Sequence, residues 1–311
     1  MPGIRQDLNV DGIPIVRLES ARLQVDIAPS VGGRVIRLID KSSGHDFLWR
    51  NTSLPLELKS SGSEYDPNFY GGIDELLPND IPEVIDGIDC PDHGELWTTP
   101  LAPEVSSDRL TLRGQLSRFG LVYEREMRLR ADKPWLDFKY RISNTTGQLR
   151  RFLWKLHAAL AVQPGDVLDC PARKARIVDP AWSRFKTETP FKWPTIEGHA
   201  ANVVPAKNGT TDFFYLYDLA AGEMFCRRPA AGLKFGYRFD AKVFPYCWLF
   251  ASYGGFLGHY TIVLEPCTAM PMSVNEAAAQ GQCSQLGPGE VLETTVSVFA
   301  GLQTKKAKFT T

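Results

Sequence analysis

The chain has 311 residues, 43% of them hydrophobic, with 35 Lys and Arg against 36 Asp and Glu, so its formal net charge is −1. That balance excludes bulk-charge attraction to nucleic acid or to an anionic membrane. The opening Met-Pro-Gly-Ile-Arg stretch lacks the apolar core of a secretory signal, and no run approaches the ~18 apolar residues of a membrane span, so a soluble cytoplasmic protein is expected.

Taken in chain order, the segments alternate with period 2. Leu23, Val25 and Ile27 fall on one face, with Gln24 and Asp26 on the other. A short helix is expected near 72–77. Strands are expected at 110–116 and 121–130. From 135 to 142, Leu136, Phe138, Tyr140 and Ile142 alternate with Asp137, Lys139 and Arg141. Another strand is expected at 151–162. The region 164–212, with six prolines between Pro164 and Pro205, reads as long connections. Further strands follow at 213–219, 233–239, 247–252, 259–265 and 292–299. A second short helix is expected at 274–280, around Ala277, Ala278 and Ala279. Many strands with few helices predict an all-β chain, a large twisted antiparallel β-sandwich forming one domain over 1–311 with its core at about 19–302. The tail Lys305-Lys306-Ala307-Lys308 reads as a frayed end.

The six cysteines, Cys90, Cys170, Cys226, Cys247, Cys267 and Cys283, include no C-x-x-C pair, so no structural zinc is expected and free thiols are. No metal-ligand spacing or phosphate loop is seen. Gly32-Gly33-Arg34 lacks the third glycine and helix of a dinucleotide site. No cofactor is expected.

Three segments carry candidate chemistry. In 151–162, a strand places Arg151, Leu153, Lys155 and His157 on one face and Phe152, Trp154 and Leu156 on the other. An imidazole and cations inside an apolar strand need partners or a cleft; the plain alternative is a satisfied core histidine. In 259–271, an apolar strand runs into Glu265, and Pro266 is expected to stop the ladder there. A carboxylate at that place is costly unless paired, functional or solvated. Third, Asp92-His93-Gly94-Glu95-Leu96-Trp97 reads as a loop offering an imidazole beside an aromatic surface, or as an ordinary turn. Sugars suit such places, because their C–H faces stack on rings while their hydroxyls take polar partners.

Together these segments resemble the galactose mutarotase-like, or aldose 1-epimerase, family over roughly residues 19–302. Val25-Asp26-Ile27-Ala28-Pro29-Ser30-Val31-Gly32-Gly33-Arg34 looks like its opening strands and glycine turn. Gly71-Gly72-Ile73-Asp74-Glu75-Leu76 looks like its Gly-Gly loop, and Asp92-His93-Gly94-Glu95 like its His-Gly loop. Phe152-Leu153-Trp154-Lys155-Leu156-His157 looks like its second histidine strand, Leu264-Glu265-Pro266 like its glutamate segment, and Leu286-Gly287-Pro288-Gly289-Glu290 like its closing turn. The chain departs from the family where His157 continues as Ala-Ala-Leu rather than Tyr-Phe-Asn. Phe69 and Tyr70 also stand where sugar-phosphate relatives carry arginine.

The resemblance implies an isomerase that interconverts the α and β anomers of a free, unphosphorylated sugar without metal or cofactor. Glu265 would be the base and His157 the acid. His93, Asp212, Arg34, Lys155 and Trp97 would bind the sugar. Asp240 competes with Asp212, and Trp154 or Trp248 with Trp97. Lys155 and Arg34 leave an acidic sugar open. The rival readings are a non-catalytic carbohydrate-binding or sugar-sensing protein, and a glycosidase or lyase pairing Glu265 with Asp92 or Glu95. The partner is a small sugar, not nucleic acid or a membrane, and the chain is a monomer or homodimer.

Overall fold

Two large antiparallel sheets form from the alternating segments in a computed structural model that describes residues 2–303. The Lys305-Lys306-Ala307-Lys308 tail lies outside the described residues. One sheet has eight strands. Its middle is Leu121–Leu129, Trp135–Asn144, Val291–Leu302 and Leu233–Arg238 in spatial order. Leu136, Phe138, Tyr140 and Ile142 are each at most 2% exposed, so the expected alternation puts one whole face inward. Burying such a side chain contributes roughly 1.5–3 kcal/mol.

The second sheet has eleven strands. At its centre lie Arg34–Asp40, Ile73–Leu76, Lys155–Leu160, Tyr260–Cys267, Tyr246–Tyr253 and Thr210–Leu219, in that spatial order. The sheets face each other across one apolar core; Tyr140 of the smaller sheet meets Trp154 edge-on at 4.9 Å, and Phe235 meets Phe47 at 5.9 Å. The chain is therefore an all-β sandwich. All six cysteines are free thiols, five of them buried. Among the described residues the only α-helix is Val274–Ala279, and no helix is long and apolar enough to cross a membrane.

Four expectations change. The segment expected as a helix near 72–77 is the strand Ile73–Leu76. Gly71 and Gly72 enter it at positive φ, and a Cβ on either would meet the Trp49 or Val35 carbonyl within 2.4 Å. That close backbone approach feeds the chain into the sheet rather than into a helix. The strand expected over 151–162 breaks into Arg150–Phe152 and Lys155–Leu160, because Trp154 N–H donates to the Thr268 hydroxyl instead of a neighbouring strand. Pro266 does not stop its ladder: the strand runs to Cys267, with Pro266 opposite Cys247. The region 164–212 contains two strands, Val167–Asp169 and Ala172–Ile177, before its long loop.

Strand pleating separates Asp74 from Glu75. Glu75 enters the space between the sheets, where Arg125 Nη1 lies 2.7 Å from it and the Tyr123 and Tyr140 hydroxyls and the Trp154 indole donate to it at 2.9–3.0 Å. Asp74 points to the other face of the same sheet, and that face carries the cavity.

Candidate active site

The cavity is built on a row of cross-strand neighbours. His157 sits opposite Asp74 in one pair of strands, and Trp248 sits opposite Glu265 in another. Between them, Lys155 pairs with Cys267 and Ala158 with Leu264, a register that sets Glu265 beside His157. Residues directly opposite in antiparallel strands share a face. Side chains far apart in sequence therefore meet on the outer face of the larger sheet.

The cavity has a volume of about 280 Å³. Its polar wall includes Tyr65, Asp80, His93, Lys155, His157 and Glu265. Facing them are Phe69, Phe213, Phe250, Phe256, Val263 and Met272, with Trp182 at the rim. Tyr65, Phe69, Leu76, Trp97, Ala159 and Val263 form a small apolar cluster beneath.

His157 is 6% exposed, and its Nδ1 lies 2.8 Å from Asp74 Oδ1. Asp74 Oδ2 takes the Tyr65 hydroxyl at 2.7 Å and Arg34 Nη2 at 2.8 Å. Burial pushes the Asp74 carboxyl up, but the charges of Arg34 and His157 and the hydrogen bonds from His157 and Tyr65 outweigh it and hold it at about 2. An ionised carboxylate only accepts, so Nδ1 carries the hydrogen and Nε2 is free for a ligand.

A stability prediction follows from Asp74. Its folded pKa lies below the ~3.9 of an unfolded aspartate, so the unfolded chain binds this proton more readily. Asp74 then contributes on the order of 2 kcal/mol, present above about pH 4 and lost as pH falls toward 2. Urea melts at stepped pH should show this loss in the parent, and Asp74→Asn should lack it. Parallel slopes in the two proteins would remove Asp74 from the account.

Glu265 is 1% exposed and its Oε2 lies 2.7 Å from Lys155 Nζ. The same ammonium lies 2.6 Å from Asp80 Oδ1 and 4.6 Å above the Trp248 ring. At these distances the ammonium bridges the two carboxylates by close, charge-assisted contact. Burial depresses the Lys155 ammonium, but Asp80 and Glu265 more than compensate and its pKa is raised. Burial raises Asp80, yet Lys155 and His93 draw it below the usual carboxylate range.

His93 arrives from a loop at φ 56°, stacked on Tyr65 at 4.2 Å with 10° between the rings. The next residue must be glycine: at φ +76° a Cβ on Gly94 would meet the Leu77 carbonyl oxygen at 2.4 Å. His93 Nδ1 lies 2.8 Å from Asp92 and Nε2 3.8 Å from Asp80. Burial disfavours its charge, but the Asp92 hydrogen bond and the Asp80 carboxylate prevail and its pKa is raised.

Glu265, His157, His93 and Lys155 therefore line one cavity. Arg34, Trp97 and Asp212 do not. Arg34 stands behind Asp74, bound to it and to the Gly71 carbonyl at 2.8 Å. Trp97 supports Tyr65 edge-on at 5.1 Å and donates its indole N–H to the Asp92 carbonyl. Both Asp212 oxygens are engaged by Ser183 and Arg184. Asp240 is exposed and outside the cavity, Trp154 lies between the sheets, and Trp248 lies under Lys155. The aromatic wall is made of phenylalanines instead. Asp92 and Glu95 are also outside the cavity; Glu95 accepts the Arg118 and Phe119 N–H groups at 3.0 Å.

Sequence reasoning missed Asp74, Asp80, Tyr65 and the phenylalanine wall. Asp74 carried a signal, an acid inside the apolar run Ile73 to Leu77. Tyr65 comes from a loop whose approach to the sheet has no local signature.

The fold is that of galactose mutarotase-like proteins. A galactose mutarotase-like protein from Clostridium acetobutylicum superposes with a TM-score of 0.71 at 16% identity, over 96% of this chain and 98% of that one. The Slr1438 protein of Synechocystis sp. PCC 6803 gives 0.72 at 17% identity, over 96% and 99%. A Klebsiella pneumoniae protein provisionally described as an aldose 1-epimerase gives 0.70 at 16%, over 93% and 79%. A family profile described as a domain of unknown function, DUF5107, matches residues 10–62. No curated protein matches the chain in sequence.

Proposed function

We propose that the protein is an aldose 1-epimerase, taking a free, unphosphorylated sugar and interconverting its α and β anomers by ring opening. The observation that carries this reading is the pairing of a carboxylate, Glu265, with an imidazole, His157, on neighbouring strands of one cavity. The names of proteins sharing the fold point the same way.

In this mechanism Glu265 takes the proton of the anomeric hydroxyl. Protonated His157 delivers one to the ring oxygen as the C1–O5 bond breaks. The open aldehyde turns about C1–C2 and closes on its other face, and both protons return. Asp74 fixes the orientation and tautomer of the His157 ring, while Arg34 and Tyr65 hold Asp74. Lys155 holds Glu265 in place through its ammonium at 2.7 Å. His93 donates to a hydroxyl or the ring oxygen.

A glycosidase needs one carboxyl that holds a proton. Asp80 is the second carboxylate beside Lys155, and its lowered pKa makes it a poor proton donor. A sugar-binding protein would use the same cavity without accelerating exchange.

The lining also bears on substrate charge. The lining carries four carboxylates, Asp66, Asp80, Asp179 and Glu265, and one ammonium, Lys155, which already touches Asp80 and Glu265. Exchange measured by NMR should be faster for glucose or galactose than for glucose 6-phosphate or a uronic acid. A preference for either anion would overturn the assignment of a neutral sugar.

A further inference from the structure

A large tryptophan held out to solvent needs a reason. Trp182 is 59% exposed at the mouth of the cavity. Its loop is nevertheless tightly anchored. The Thr211 hydroxyl donates to the Trp182 carbonyl at 2.6 Å, and the Ser183 hydroxyl to Asp212 at 3.0 Å. Arg184 Nη2 lies 2.6 Å from Asp212, and its guanidinium lies over the rings of Phe185 and Tyr253 at 5.0 and 4.8 Å. A nearly buried ion pair thus fixes the chain just after the exposed ring.

That ring continues the cavity wall. Phe213 contacts Phe250 at 5.9 Å, Phe250 contacts Phe256 at 5.3 Å, and Phe256 contacts Trp182 at 6.4 Å. The aromatic surface passes unbroken from beside Glu265 to the rim. Two exposed carboxylates flank the mouth, Asp66 and Asp179, neither with a cation partner among the described residues. An apolar ring beside hydroxyl acceptors matches a pyranose, which offers a C–H face and hydroxyl donors. The cavity of about 280 Å³ is sized for one such ring, so anything attached to it must lie across the rim.

We infer that Trp182 and Phe256 form a second sugar position, which stacks the outer ring of a reducing disaccharide while its reducing ring occupies the cavity. This inference rests on the cavity taking a sugar's reducing ring. The Arg184–Asp212 pair is its support, since it sets the loop without touching the ligand.

Binding tests it independently of turnover. Saturation-transfer NMR titrations would compare maltose, cellobiose, lactose and melibiose with glucose and galactose. At least one disaccharide should bind roughly three- to tenfold tighter than the monosaccharides, the gain of one ring stack. Trp182→Ala should bring that ratio to about one, and Trp182→Phe should keep part of it. Equal binding of all six sugars, or an advantage that survives Trp182→Ala, would overturn the inference. Anomer exchange of the same sugars is read separately, so loss of the epimerase reading and loss of the second sugar position give different results.

Discussion

Glu265→Gln should drop anomer exchange by about 10²–10⁴-fold, close to the rate in buffer alone. The substitution keeps the shape of the side chain and an oxygen for Lys155, but the amide cannot take the anomeric proton. Lys155 retains Asp80 at 2.6 Å, so the variant does not strand a buried ammonium. The melting temperature should stay near that of the parent, and sugar affinity should change little, because His93, His157 and the phenylalanine wall are intact. Exchange rates, thermal melts and sugar titrations on both proteins separate the roles. A structural Glu265 gives the opposite pattern, lost stability with retained exchange.

Arg125→Met should cost about 3–5 kcal/mol of folding stability, the effect of removing one partner from a buried ion pair. Arg125 and Glu75 are 1% and 2% exposed. Without the guanidinium, Glu75 keeps three neutral donors, Tyr123, Tyr140 and Trp154, but no counter-charge. Arg125 also donates to the Gly33 carbonyl, tying the opening glycine turn to the smaller sheet. Adding Glu75→Gln removes the stranded charge, so the double variant should be more stable than Arg125→Met alone. Urea unfolding of the parent and the variants checks both statements. A loss under about 1 kcal/mol in Arg125→Met would show that the pair does not hold the sheets together. The effect would reach the cavity, because Glu75 and Asp74 are adjacent in one strand and any shift of Ile73–Leu76 moves the partner of His157.

Alternation made most of the sandwich readable. Leu136, Phe138, Tyr140 and Ile142 are buried as their period required, and the same rule put Lys155 and His157 on one face. The rule failed where local pattern and tertiary contact disagree. Ile73 to Leu77 has helix-like apolar spacing, yet two glycines pressed against neighbouring carbonyls carry it into the sheet. Pro266 looked like a stop, but the flanking strands carry the ladder past it to Cys267. At the cavity, the shared face of Lys155 and His157 was legible because pleating sets it, but the register that puts Asp74 opposite His157 was not. Side chains set by ion pairing were not legible either. Nothing local distinguishes Asp212, bound by Arg184, from an aspartate facing a ligand. Nor does anything local show that Lys155 would lie between Asp80 and Glu265.

The most direct test of the account is two-dimensional exchange NMR on glucose and galactose, comparing α-to-β interconversion with and without the protein at one pH. Acid/base ring opening by Glu265 and His157 predicts exchange that rises in proportion to protein concentration and falls to the buffer rate in Glu265→Gln. Sugars that bind in the cavity yet exchange at the buffer rate with the unmutated protein would contradict it.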